Sequence, residues 1–358
     1  MHHFSVHGIF EANEEILTHG ISFNFIFLQT QYIFGKIGVD IFIIISAWFM
    51  VDRKFKYNKL IKLFGEVWFY SIVILLLFLF VLEPVDKIGI KSIVCSILPV
   101  LTGANWFITA YVILMLISPF LNEAINKFDK KILRNILITM FILSVLINGT
   151  ISKFLVDAGN NIFFFTFLYL LIGYIKRYDC IRKTSYKRNL LIAAISFAVY
   201  VLSVVVIALI GHAFGDNPTI LKHSGYFYKQ NTIFTFLTSL ELLIATIKMK
   251  PIESKFINKI ASATFGVYLI HDNSLMRPYI WQTIFKCTNF ANSPYLILFE
   301  IGVVLIVYVV CTVIDLIRKA TVEKIWLPIG NKLYGLIEKI SNKVKKLWNV
   351  GKTRINLV

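Results

Sequence analysis

The sequence predicts an all-α polytopic helical bundle that crosses a membrane about nine times. Three observations predict it. Hydrophobic residues fill 57% of the 358 positions, above the roughly 45–50% of an ordinary soluble domain. Mean hydropathy is +0.73, and apolar runs recur along the whole chain, each long enough to cross about 30 Å of hydrocarbon. The charged residues gather in short stretches between those runs. Spans of this kind must be helices, because lipid offers no partner to an exposed backbone amide.

The expected spans are 33–51, 64–82, 104–121, 132–148, 161–175, 189–211, 231–247, 262–285 and 295–318. Arg53, Lys54, Lys56, Lys59 and Lys62 follow the first span. Lys87 and Lys91, offset by Glu83 and Asp86, follow the second. The third carries Pro119 near its inner end, where a proline kinks or ends a helix. It leads to Lys127, Lys130, Lys131 and Arg134, and the fourth leads to Lys153 alone. The fifth is followed by a cluster from Lys176 to Arg188, and the sixth by Lys222 and Lys229. Four lysines from Lys248 to Lys259 follow the seventh, and Lys286 alone follows the eighth. The tail after the ninth is strongly basic. Rich and poor loops therefore alternate. The positive-inside rule puts the basic loops and the C-terminus in the cytoplasm, and residues 1–32 outside. Residues 1–320 form one transmembrane domain on this reading.

The net charge of +17 is explained by these loops, so no nucleic-acid partner is expected. In the tail 321–358, Leu333, Leu336, Ile337, Ile340, Val344, Leu347 and Trp348 recur at helical spacing among lysines. That pattern fits a basic amphipathic helix on the inner leaflet, with a solvated helix as the alternative. Cys95, Cys180, Cys287 and Cys311 show no CxxC spacing and read as packing residues. The start M-H-H-F-S-V-H-G lacks the charged and long apolar regions of a cleavable signal.

Ionisable groups inside spans are expensive and mark candidate sites. Asp40 lies about 10 Å below the outer face by helical rise. No strong pair is read within its own helix, so a partner from another span is expected, with a structural interhelical hydrogen bond as the alternative. Asn105, Trp106 and Tyr111 fall in the outer half of their span, where an aromatic belt is the plain alternative. The segment S-A-T-F-G-V-Y-L-I-H-D-N enters from the cytoplasmic side and carries Tyr268, His271 and Asp272, with Arg277 beyond. His271 falls roughly 15 Å deep, so the helix breaks there or faces a polar cavity. A buried structural histidine is the competing reading. His3 and His7 are four apart and share a helical face. No carboxylate or cysteine is spaced in the sequence to complete a metal site with them, so none is expected.

Three groups of residues resemble acyltransferase family 3, in its branch linked to surface-polysaccharide acetylation. They are the start H-H-F-S-V-H-G, the segment G-V-D-I-F-I-I-I-S-A-W-F, and the pair N-W-F-I-T-A-Y…S-P-F-L-N with S-A-T-F-G-V-Y-L-I-H-D-N. The resemblance covers essentially residues 1–320. It implies an acyl-CoA donor, usually acetyl-CoA, and a sugar hydroxyl as acceptor, on a polysaccharide or a lipid-linked glycan, in a bacterial plasma membrane. It implies no bound cofactor. Family members have ten spans and an arginine about eleven residues before the key histidine, which corresponds to His3. Here Met1 stands just before the histidine doublet, so that first span and its arginine are expected to be missing, and Ala47 stands where a glycine is usual.

The expected chemistry follows. A histidine with an ordinary pKa near 6.5 suits deprotonation of an alcohol. His3 is expected to be the base, with His2 beside it and Asp40 or a tyrosine orienting it. His271 polarises the acyl group or holds the pocket. Trp106, Tyr111, Asn105, Tyr268, Asp272 and Arg277 are expected to bind substrate. Lys54, Lys59 and Lys62 attract CoA phosphates, with topology alone as their other explanation. A glycan transporter or an inactive relative are the alternative functions.

Overall fold

The computed structural model describes residues 1–12, 20–82, 88–151, 162–332, 334–335 and 339. Every regular element among them is helical. Phe4–Phe10 forms an N-terminal helix of wide turns. Then come α1 (Phe23–Thr30), α2 (Tyr32–Met50), α3 (Tyr57–Leu77), α4 (Ile90–Ile97), α5 (Trp106–Lys127), α6 (Lys130–Phe141) and the single turn α7 (Asn148–Thr150). The chain continues with α8 (Ile162–Arg177), α9 (Tyr186–Ala213), α10 (Pro218–Lys222), α11 (Ile233–Lys248), α12 (Lys255–His271), the single turn α13 (Met276–Pro278) and α14 (Leu296–Ala320).

Seven helical stretches among the described residues are long and apolar enough to cross a membrane. They match seven of the nine expected spans. The other two are helical but short. Helix α8 has 16 residues and α12 has 17. The span expected over 262–285 is broken: α12 stops at His271, and wide turns resume at Tyr279–Ile284. Helix α8 is the hub of the bundle. Phe164, Phe165, Phe167, Leu168 and Tyr169 are all buried, and α2, α5 and α6 pack around it. The outward faces of α9 and α14 expose Leu191, Leu202, Leu209, Leu298, Leu305 and Ile317, as a lipid-facing surface must.

Local chemistry sets the ends. Asp129, Ser185, Thr232 and Ser254 each cap a helix by accepting a backbone N–H with a side-chain oxygen. Pro119 neither ends α5 nor leaves a carbonyl stranded. A proline strands the carbonyl four residues earlier, here that of Met115, and the Ser118 hydroxyl donates to it at 2.8 Å. The helix runs on to Lys127.

A charge cluster ties the last span to α3. The buried Arg318 guanidinium lies 3.0 Å from Glu66, 2.9 Å from Asp315 and 3.2 Å from Glu323. Tyr70 donates to Asp315 at 2.8 Å. Residues 322–332 continue as a helix. Most of the amphipathic pattern of the tail lies outside the described residues, as do Glu83, Asp86, Lys87 and Lys153.

Candidate active site

The site is built where the N-terminal helix meets the break after α12. Residues 2–10 are held by specific contacts. Ser5 donates to the Leu28 carbonyl at 2.8 Å. Gln282 donates to the His7 carbonyl at 3.2 Å, and Phe4 packs edge-on against Trp281. His2 rests on Gly35, where a Cβ would stand 2.4 Å from the imidazole. Only glycine leaves room for that ring.

His3 then faces His271. Their Nδ1 and Nε2 atoms are 2.8 Å apart. His271 places its own Nδ1 2.6 Å from the Val267 carbonyl. A carbonyl only accepts, so this Nδ1 donates, and in a neutral ring the Nε2 is left bare. His3 must therefore donate its Nδ1 proton to His271. The Nε2 of His3 is left with a free lone pair.

Asp272 stands beside the pair, 3.6 Å from His3 Nδ1. Arg277 holds the carboxylate at 2.9 Å and the Asp272 carbonyl at 3.1 Å. His7 comes within 3.8 Å of the same carboxylate oxygen and pairs with Glu11 at 2.6 Å. Among the described residues, His3, His7 and Asp272 are placed so that one ligand atom from each lies within 4.8 Å of the others. The carboxylate that is missing at short sequence spacing comes from Asp272, across the fold.

A cavity of about 630 Å³ opens onto His2, His3 and His271. Its walls are mainly apolar: Phe34, Val39 and Phe42 of α2, Phe265 and Tyr268 of α12, and Val304 and Val307 of α14. It runs along α12 from His271 to Ala261, about 15 Å of helix. Tyr268 donates to Asn105 at 2.6 Å. Asn105 thus both caps α5 and fixes the cavity wall. Trp106 carries the Lys36 ammonium 5.1 Å above its ring. Tyr111 meets Ser46 at 3.3 Å, one turn deeper than Phe42 and Phe107.

The remaining expected residues divide. Asp40 is fully buried, and no hydrogen bond joins it to a histidine among the described residues. Its neighbours are the Gln230 side chain and Lys36, one turn earlier on the same helix. Lys36 acts on Asp40 through its charge at an ordinary i, i+4 spacing. Lys36 is also within electrostatic reach of Asp272, which links Asp40 to the site indirectly. Lys54 and Lys59 line a small pocket with Arg53, Lys56, Met115 and Ser118. Lys62 does not join them. It pairs with Glu323 at 2.5 Å in the Arg318 cluster. Sequence reading also passed over Trp281, which packs edge-on to His271.

The geometry gives a histidine with a free lone pair at the head of an apolar cavity, which suits acyl transfer. A model of an acyltransferase domain matches residues 1–315. The chain belongs to acyltransferase family 3. No curated protein and no solved structure matches it. The chain is a membrane acyltransferase, and the matched region takes in the histidine doublet, the cavity and the broken span.

Proposed function

We propose that this acyltransferase moves an acyl group, acetyl above all, from acyl-CoA to a hydroxyl of a cell-surface polysaccharide or its lipid-linked precursor. The setting is a bacterial plasma membrane with the C-terminus in the cytoplasm. The observation that carries the reading is the hydrogen bond from His3 to His271, with the second nitrogen of His3 left bare at the head of the cavity.

The His3 Nε2 takes the proton of the acceptor hydroxyl as its oxygen attacks the thioester carbonyl. The tetrahedral intermediate collapses, the carbon–sulfur bond breaks, and the CoA thiolate takes the proton back from His3. His271 fixes the tautomer and ring orientation of His3, the role a third group plays in a nucleophile–base array. Asp272, close to His3, stabilises the imidazolium that forms in between. No metal or bound cofactor is needed for these steps.

The donor comes from the side of the basic loops. Arg53, Lys54, Lys56 and Lys59 offer charge to its phosphates. Helix α2 runs from that pocket, at Met50, to the histidine cavity, at Phe42 and Gly38. Met50, Ser46, Phe42 and Gly38 succeed one another at one-turn spacing along α2. Between the two, Tyr111 of α5 meets Ser46 of α2. The apolar cavity beyond takes the acyl-bearing arm.

The test is the O-acetyl content of purified surface polysaccharide from cells with and without the gene, complemented by the intact chain or by His3→Ala. Loss on deletion, restored by the intact chain and not by the variant at equal expression, is the expected result. Unchanged acetylation on deletion would overturn the reading.

A further inference from the structure

We propose that His3, His7 and Asp272 form a site for a zinc-class divalent cation that switches the acyl-transfer site off. The inference rests on the reading of His3 as the base, and it names a regulator of that same site.

Two imidazoles and a carboxylate are a donor set suited to Zn²⁺. Asp272 Oδ1 is 3.6 Å from His3 Nδ1 and 3.8 Å from His7 Nε2. Ligand atoms each about 2.1 Å from a tetrahedral zinc lie about 3.4 Å apart. Those two pairs need to close by only a few tenths of an ångström. The surroundings are also those of a ligand set. A metal-binding histidine anchors its second nitrogen on a carboxylate or carbonyl, which fixes the tautomer. His7 does this through Nδ1, 2.6 Å from Glu11, so its Nε2 is the atom left for a cation. Glu11 itself is exposed, so the His7 side of the set lies near the surface. Three protein ligands leave a fourth position for water.

The switch follows from one atom. His3 Nδ1 is both the nitrogen nearest Asp272 and the donor to His271. A cation bound there replaces the proton that His3 shares with His271. Metal binding and the His3–His271 hydrogen bond exclude each other, and the base loses its orientation. Asp272 and Glu11 supply two negative charges, while Arg277, 2.9 Å from the same Asp272 oxygen, opposes the cation. That opposition keeps binding weak enough to reverse.

The experiment uses the full chain, purified in detergent without a histidine tag, and titrates ZnCl₂ by calorimetry and in an acyl-transfer assay. One zinc site is expected. Zinc should lower transfer about tenfold or more, and a chelator should restore it. His7→Ala should transfer at the normal rate without metal, bind no zinc and ignore it in the assay. Should that variant not fold, His7→Gln replaces it and keeps a hydrogen-bonding group opposite Glu11. A chain with no titratable zinc site, or a His7 variant that keeps the site and the inhibition, would sink the proposal. Calorimetry does not depend on turnover. Absence of transfer with the site intact would count against the acyl-transfer reading, and normal transfer without a site would count against the metal alone.

Discussion

His3 Nδ1 lies 2.8 Å from His271 Nε2, although 268 positions separate the two residues in the chain. The contact joins the first turn of the protein to the break in its eighth expected span. It fixes which nitrogen of His3 is free.

That relationship predicts a graded loss. His3→Ala should abolish transfer. His271→Ala should keep the base and lose its orientation, lowering kcat by about 10²-fold with little change in KM. His271→Asn, which keeps an acceptor, should recover part of the loss. Equal kcat for all three variants would rule out the orienting role of His271. The measurement is steady-state acyl transfer in detergent.

Gly35→Ala puts a methyl group into the His2 ring, which stands 2.4 Å from that position. Overpacking of this kind costs about 1–3 kcal/mol. Activity and thermal stability should both fall. Adding His2→Ala should restore much of the stability, because the two changes share one contact. Additive losses in that cycle would contradict the seating of His2 on Gly35.

The basic loop separates by test as it does in space. Lys54→Ala with Lys59→Ala should raise KM for acyl-CoA about tenfold, as loss of about 1.4 kcal/mol of phosphate attraction requires, with kcat nearly unchanged. Lys62→Ala should leave KM alone and lower the unfolding temperature, since its partner is Glu323. A KM effect from Lys62 equal to that of the other two would merge the groups again.

Arg318→Met removes the cation shared by Glu66, Asp315 and Glu323. Stripping one partner from a buried ion cluster costs about 3–5 kcal/mol. Unfolding in detergent should shift accordingly. Replacing Glu66 by leucine in the same chain should return part of it. A silent Arg318→Met would show that the cluster contributes nothing to stability.

Much of the bundle is legible in the sequence because a bilayer imposes length and polarity on each span. Seven of the nine expected spans stand as long apolar helices, and the His271–Asp272 pair announces a break in its helix. The burial of α8 is not legible. Its apolar pattern is the same whether lipid or protein surrounds it, and only the packing of α2, α5 and α6 decides. The site is half legible. His271 and Asp272 are flagged by the cost of burying them, and His3 by its match to the key histidine of the family. Their convergence is not, because it depends on contacts far apart in sequence. Lys36 was within reach of inspection, one turn from Asp40. The separation of Lys62 from Lys54 and Lys59 was not, because Glu323 reaches it only after the last span has docked.

Among the described residues, four stretches of wide helical turns occur, at Phe4–Phe10, Phe78–Leu82, Ile142–Ile147 and Tyr279–Ile284. All four fall on the face opposite the basic loops. Such turns are rare and cluster at functional places in proteins. The two faces should therefore differ in stiffness. On the loosely wound face, amide hydrogens should exchange with solvent sooner than in the regular helices below. That face should give way more readily, while the opposite one should keep its shape.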